Sequence, residues 1–413
     1  MFSLALFNPT CQAHDNPHVT QQISAPIIDI ETGPRGFIWL ATSQALYRFD
    51  GSTLREVQFS NVLQPQDLPQ LHCLTRRKND ALLIGSDKGI YQLPFASSAL
   101  EASMRLSSEH LLDARIHQIA IPQSTPLLAV NKHTLLVEHQ GELLPQPLQY
   151  DDEPIRNLHF VKPVGDWTWL GDGKQVYVWD GLGSNLFKLT IDNPVTEKLP
   201  LGQLVDIAET DHVLYLLYTD KLVRLDQRYR LIDETPLTNL GIADLPLQLN
   251  VMPSGELKLL TQAKLYELSL TPSGQFSATQ TARTKHIKGP WSQHYVSGQF
   301  EILLNTKGYI EVLHAPPTSD NALWVSAEAA PSGQVNIDYA IASFDLEQPQ
   351  MFEYRIEPLQ TTWQKTFQPL QTLSLKNLED GQYTLDVRAY LPEQDSWVSA
   401  SQSFTVKANG FTA

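Results

Sequence analysis

One motif recurs seven times along this chain at nearly constant spacing, and such a period restricts the fold more than any local pattern. Its clearest copy is IIDIETGPRGFIWLATSQALYRFDG, residues 27 to 51. It reads as an apolar strand, a Gly/Pro turn, a second strand ending in a small-residue turn, and a third strand closed by Asp50-Gly51, the order of a β-meander. Weaker copies follow at 81–93, 127–139, 167–181, 214–226, 257–268 and 301–313. Taking the residue two before the small or polar turn as an anchor gives Leu40, Ile84, Ala129, Leu170, Leu217, Leu259 and Leu303, at steps of 44, 45, 41, 47, 42 and 44. A period in the low forties with about four strands per unit is that of a β-propeller blade. Seven blades are predicted.

The last copy lacks a fourth strand, because the chain runs from it directly into Ala315-Pro316-Pro317. HVTQQIS, residues 18–24, precedes the first blade with no partner of its own. The N-terminal strand is therefore expected to close the ring as the outer strand of blade seven, leaving no blade exposed. The breaker cluster from Pro316 to Asn321 ends the repeats, and six or seven short strands with Pro, Gly and Asp turns fill the remaining 90 or so residues. That size and rhythm suit a sandwich. The fold class expected is all-β: a seven-bladed β-propeller over 14–317, followed by an immunoglobulin or fibronectin-like β-sandwich over 318–413.

Thirty Lys and Arg against 45 Asp and Glu leave a net charge of −15, which repels a phosphate backbone and argues against a nucleic-acid partner. Two cysteines, Cys11 and Cys73, are too few for a disulfide framework. No apolar run reaches the ~18 residues that would span a bilayer. Residues 1–13, with MFSLALF ahead of a small-x-small site at Cys11 to Ala13, read either as the remnant of a signal peptide or as an apolar frayed terminus.

The twelve histidines form no His-Glu-x-x-His or His-x-His spacing, and no Gly-x-Ser-x-Gly elbow is present. Gly181-Leu182-Gly183 lacks the third glycine of a dinucleotide loop. No catalytic set, metal or cofactor is expected. The long connections between blades, at 60–69, 104–115, 148–154, 193–203, 236–246 and 280–290, build a variable polar face, where a ligand is expected to sit. Asp151 opens an acidic run there, Arg156 and Lys174 lie on the same blade, and Asp172 belongs to the neighbouring turn. Trp291 follows a Gly-Pro turn at the start of blade seven and is the aromatic best placed to stack on a sugar. Asp151, Arg156, Asp172, Lys174 and Trp291 are thus the candidate ligand contacts. Against this, charge runs in loops are usually solvated. Trp167, Trp169 and Trp179 are expected to pack between blades, and Trp363, Tyr354 and Tyr383 to belong to the sandwich core.

GFIWLATSQALYRFDG resembles the two-component regulator propeller repeat, with Trp39, Thr42, Leu46, Asp50 and Gly51 matching and Ala45 in place of a glycine. In the second copy Gly85, Gly89, Ile90 and Tyr91 match. The C-terminal region resembles the triple-tyrosine domain that follows such propellers: Phe352, Tyr354 and Trp363, then Leu378, Gly381, Tyr383, Val387, Arg388 and Ala389. Phe352 stands where a tyrosine is usual, and Pro358 where glycine is frequent. The resemblance implies a non-enzymatic sensor ectodomain on the periplasmic face of a bacterial inner membrane, and it favours the signal-peptide reading of residues 1–13. It implies contact with the membrane through a helix beyond the C-terminus, and a histidine kinase or diguanylate cyclase as output. A homodimer would suit such a relay. The ligand implied is a small molecule or glycan fragment, or another envelope protein. A propeller enzyme (lyase or glycosidase) and an envelope-protein scaffold are the alternatives.

Overall fold

A computed structural model gives the structure of the chain, and it describes residues 19–57, 69–77, 81–94, 103–106, 115–121, 127–131, 134–140, 142–150, 153–155, 158, 160–164, 167–171, 176–181, 187–188, 204–210, 213–227, 230–281, 289–298, 300–315, 323–329, 334–344, 351–366, 373–375 and 378–407. Seven four-stranded antiparallel sheets follow one another, the blades of a propeller. Their first strands are Ile27–Thr32, Leu71–Arg77, Ile116–Ala120, Phe160–Val164, Leu204–Glu209, Pro246–Val251 and Trp291–Ser297. These pack against one another around the axis and form the wall of the central channel. The seventh sheet is completed by Val19–Gln22, which pairs with Tyr309–His314. The ring is closed by the two ends of the propeller segment, as its unpaired N-terminal strand predicts.

Burial explains why the repeat is easiest to read on the second strand of each blade. That strand has neighbours on both sides within its own sheet and a blade against each face, so Ile38–Thr42, Ala81–Ser86, Leu257–Thr261 and Phe300–Asn305 are buried throughout. Outermost strands such as Leu54–Val57 and Leu231–Pro236 are half-exposed and free to drift in sequence. All seven anchors, Leu40 to Leu303, are fully buried. In five of the blades the small or polar residue two positions later closes the following hairpin with its side chain. Thr42 Oγ1 accepts from the Ala45 N–H at 3.0 Å, Thr261 Oγ1 from Lys264 at 2.9 Å, and Asn131 Oδ1 from Thr134 at 2.9 Å. Asp50 does the same one hairpin on, accepting from the Thr53 N–H at 2.7 Å.

The C-terminal domain is a sandwich of two sheets. One contains Leu323–Ala329, Val335–Ile341 and Leu373–Leu375; the other contains Gln364–Thr366, Phe352–Glu357, Gly381–Leu391 and Ser396–Val406. Alternation along Gly381–Leu391 sends Tyr383, Leu385, Val387, Ala389 and Leu391 into the core. Tyr383 stacks on Phe404, and its hydroxyl donates to the Glu379 carbonyl at 2.9 Å. Tyr354 packs against the same core. Trp363 corrects the expectation made for it. It lies on the outward face, its ring beneath the guanidinium groups of Arg388 at 4.3 Å and Arg355 at 4.9 Å.

The two domains interlock. Phe37 of blade one belongs to the sandwich core, while Phe344, just past the second sandwich strand, inserts between blades one and seven, edge-to-face with Phe49 and Phe300. The Arg48 guanidinium is buried between the rings of Phe37 and Trp324, 5.1 and 4.0 Å from their centroids. Arg55 pairs with Asp338 at 2.8 Å, and the Ser343 N–H donates to the Asp50 carbonyl at 2.9 Å. Gly51 has φ +102°, and a Cβ there would sit 2.0 Å from the Ser343 carbonyl oxygen, so the approach admits no side chain.

Candidate ligand site in the central channel

In six of the seven blades the first strand carries a β-bulge at the same register, and the residue just after it lies on the channel wall: Asp29, Cys73, Gln118, Asp206, Gln248 and Gln293. Each turns its side chain toward an adjoining blade. Asp29 Oδ2 accepts from the Leu74 N–H at 2.7 Å, and the Cys73 thiol reaches the Ile116 carbonyl at 3.9 Å. Gln118 accepts from Val161 N–H at 3.1 Å and donates to the Val161 carbonyl at 2.6 Å. Asp206 Oδ2 accepts from Leu249 N–H at 3.0 Å, and Gln248 Oε1 from His294 N–H at 3.0 Å. Gln293 Nε2 donates to Asp29 Oδ1 at 3.4 Å, and Lys162 bridges the remaining seam with Nζ 2.7 Å from Asp206 Oδ1. Every seam of the ring is therefore stitched at the channel wall.

Above this circuit, blades seven, one and two share a second cluster. The Tyr295 hydroxyl donates to Glu31 Oε1 at 2.6 Å, and Glu31 also accepts from the N–H groups of Thr32 and Arg76. Burial pushes both channel-wall carboxyls of blade one upward, Asp29 to about 6, against the hydrogen bonds that hold each of them charged.

Between the walls lies a cavity of about 670 Å³, within the range of small-molecule sites. It is lined by the first strands of blades two to six. Thr75, Arg76, Gln118, Lys162, Asp206 and Gln248 supply the polar groups, and Ile119, Ile121, Val161, Pro163, Val205 and Leu247 the aliphatic surface. No aromatic ring and no histidine is among the described lining residues.

The sequence points instead to the face formed by the connections between blades. Trp291 is 2% exposed, wedged between blades six and seven with Leu260, Leu265, Leu303 and Leu313, so it is a packing residue and offers no surface to a sugar. Trp169 and Trp179 are likewise buried between blades, in agreement with expectation. Asp151, Arg156, Asp172 and Lys174 lie outside the described residues. The connection at 236–246 folds as a 3-10 turn, Leu237–Leu240, whose Leu237 and Ile242 enter the seam between blades five and six. The channel residues had a signal in the sequence: a polar residue directly ahead of an aliphatic one, at Asp29-Ile30, Gln118-Ile119, Asp206-Ile207 and Gln248-Leu249, on the same period as the anchors.

No family model matches the chain, and no curated protein sequence matches it. Solved structures with its fold are numerous. Virginiamycin B lyase from Staphylococcus aureus superposes with a TM-score of 0.53 at 12% identity, over 72% of this chain and 99% of its own. The Pan2 WD40 domain of Neurospora crassa gives 0.51 at 13% identity, over 71% of this chain and 90% of its own. An extracellular domain from B. thetaiotaomicron, described as belonging to a hybrid two-component system, gives 0.55 at 12% identity. It matches 96% of this chain, sandwich included, and this chain spans 60% of its length. At these identities the likeness is one of fold: a propeller alone in the first two, and a match running through both domains in the third.

Proposed function

We propose that this chain is the extracytoplasmic ligand-sensing region of a membrane-anchored bacterial signalling protein, with two-component regulator propeller repeats and a triple-tyrosine sandwich. A small ligand is held in the central channel, and the sandwich carries its effect toward a transmembrane helix and a cytoplasmic output. The interlock at blades one and seven carries this reading. With Phe37 in the sandwich core, Phe344 in the propeller core and Arg48 pinned between Phe37 and Trp324, the two domains cannot reorient independently. A channel state that changes the set of blade one is then mechanically connected to the sandwich, and relay requires only that the ligand prefer one of two such states. The fold shared with the two-component ectodomain along nearly the whole chain supports the same reading. Binding rather than catalysis suits a cavity lined by aliphatic side chains and committed hydrogen-bonding groups.

The test is a chimera in which the chain precedes the membrane helix and kinase of a reporter-coupled sensor. Compounds that raise its melting temperature, from a panel of amino acids, oligosaccharides and cell-envelope fragments, are expected to switch the reporter. Gly51→Ala, which forces the sandwich away from blade one, should abolish switching while leaving binding intact. A bound compound that never changes the reporter, or that is chemically turned over, would overturn the proposal.

A further inference from the structure

Among the described residues four arginines lie over aromatic rings, and three of them also give N–H groups to acceptors. Arg224, 5.0 Å from the Phe276 centroid, donates from Nε to Asp233 at 2.7 Å and from Nη2 to the Gly274 carbonyl at 2.9 Å. Arg355 and Arg388, both over Trp363, donate to Asp386 at 2.9 Å and to Glu353 at 2.7 Å. Arg48 differs. It is 8% exposed, held between Phe37 and Trp324 where blade one meets the sandwich, and its guanidinium has no hydrogen-bond or ion-pair partner among the described residues. Ring faces attract a guanidinium but accept none of its five N–H groups, and a buried charge ordinarily meets a hydrogen-bonded counter-charge. The carboxylates whose charge reaches Arg48 are engaged elsewhere. Asp50 Oδ1 accepts from the Ser52 N–H at 2.9 Å, the Ser52 hydroxyl at 3.0 Å and the Thr53 N–H at 2.7 Å, and Asp338 Oδ1 accepts from Arg55 at 2.8 Å. Burial pushes the Arg48 guanidinium down to about 10, with the Arg55 charge acting in the same sense and Asp50 and Asp338 against it. Arg55 stands directly across the ladder from Arg48, and Arg35 donates to the Leu323 carbonyl, one residue before Trp324, at 3.2 Å. Blade one thus brings three positive charges to the junction, two of them opposed on neighbouring strands, which costs stability until a negative group offsets them. No Arg48 nitrogen is among the enclosed atoms that lack a partner, so the guanidinium edge keeps access to solvent.

We infer that the junction between propeller and sandwich binds a small oxygen anion, a carboxylate or phosphate group, which accepts in-plane hydrogen bonds from the Arg48 guanidinium. The fork of N–H groups presents two donors side by side to two oxygens of such a group, and the flanking rings keep water away, so the bonds are charge-assisted and strong. Arg55, bonded to Asp338, and Arg35, bonded to Leu323, contribute their charge alone. The site is separate from the channel and does not depend on what the channel binds. Arg48 belongs to blade one and Trp324 to the sandwich, so an anion on this guanidinium fixes the contact through which the two domains interlock.

Calorimetric titration of the whole chain at constant ionic strength tests this, with acetate, inorganic phosphate and chloride as probes; chloride, a sphere, cannot span the fork. Acetate or phosphate should bind saturably with a Kd below about 10 mM and about tenfold more tightly than chloride, and the better of the two identifies the source of the anion. Arg48→Met should weaken that binding by about tenfold or more, and Arg48→Lys, which keeps the charge without the fork, by about fivefold. Arg224→Met, at a ring-stacked arginine whose N–H groups already have acceptors, should leave it unchanged. If Arg48→Met does not fold, the wild-type titration and Arg48→Lys decide in its place. No saturable binding of either oxygen anion, equal binding of chloride, or binding that survives both Arg48 variants would overturn the inference. None of these outcomes bears on the channel, whose ligand is tested by the reporter chimera.

Discussion

The seam between blades four and five and the seam between blades six and seven hold equivalent places in one ring, yet opposite chemistries fill them. In the first, Trp169 and Val178 of blade four meet Ile207, Leu214, Leu216 and Val223 of blade five, and the packing is apolar. Trp169 pairs with Lys162 of the first strand, and the same place is held by Trp39 opposite Glu31 in blade one and Tyr215 opposite Ala208 in blade five, but by Lys258 opposite Asn250 in blade six. Likewise, the residue after the wall position is Ile30, Leu74, Ile119, Val161, Ile207 or Leu249 in six blades and His294 in the seventh. Lys258 Nζ lies 2.5 Å from Glu301 Oε1, and His294 Nε2 lies 3.2 Å from the same oxygen, all three side chains being buried. Burial acts to raise the Glu301 carboxyl, but hydrogen bonds from His294 and Lys258 and the Lys258 charge prevail and hold it at about 2. Burial also pushes the His294 imidazole downward, against the pull of Glu301. The apolar packing around Trp169 is indifferent to pH, the Lys162–Asp206 pair of that seam lying at the channel wall, whereas the buried cluster of the second seam holds only while its charges remain matched.

Glu311 sharpens the contrast. It alternates with Tyr309 and Leu313, which pack against blade six, and its backbone pairs with Thr20 of the closing strand. Its side chain is fully buried, and neither carboxyl oxygen has a hydrogen-bond partner among the described residues. Burial alone pushes it up to about 7. The seam between blades six and seven therefore contains one carboxylate with a matched cation and one with no partner among the described residues.

Lys258→Ala should cost about 3–5 kcal/mol in urea unfolding, because it strands the Glu301 charge, whereas the double change Lys258→Met with Glu301→Leu should recover most of that loss. Trp169→Ala should cost a similar 3–5 kcal/mol or so through the cavity it leaves, with the same value at pH 5 and pH 8. If both single variants were as mild as surface substitutions, the two seams would not be the buried contacts described. A smaller and pH-dependent effect is expected of Glu311→Leu. A carboxyl raised above its ordinary range stabilises the fold fully below about pH 4.5, and that contribution is lost as pH rises through about 7. The wild type should therefore lose stability from pH 5 to pH 8, and the variant should flatten that slope by about 1–3 kcal/mol, the cost of an unsatisfied buried polar group. Melting curves across this range that are parallel for the two proteins would count against an orphan Glu311. Smallest is Gln293→Leu, which removes the stitch between blades seven and one and should cost about 1 kcal/mol at pH 7, read from the denaturation midpoint.

Much of this was legible in the sequence, because a propeller repeats its most buried strand. Leu40, Ile84, Ala129, Leu170, Leu217, Leu259 and Leu303 announce the blades through apolar content alone, and the unpartnered 18–24 segment announces the closing strand. The candidate site was not legible in the same way. Trp291 and Trp363 both occur in turn-rich contexts, yet one is sealed between blades and the other lies outward beneath two arginines. Strand alternation sets which residues share a face, but not what stands opposite that face.

Periodicity and breaker residues act locally along the chain, so the number of units, their order and the strand that completes the ring are all written in the amino-acid order. Tertiary structure alone decided which polar groups remain available to a ligand. Asp29, Gln118, Asp206 and Gln248 are ordinary polar residues until the neighbouring blade brings a backbone N–H within 3.1 Å of each. Hydrogen-bonding capacity is spent between segments more than forty residues apart, so it is fixed only when the ring closes.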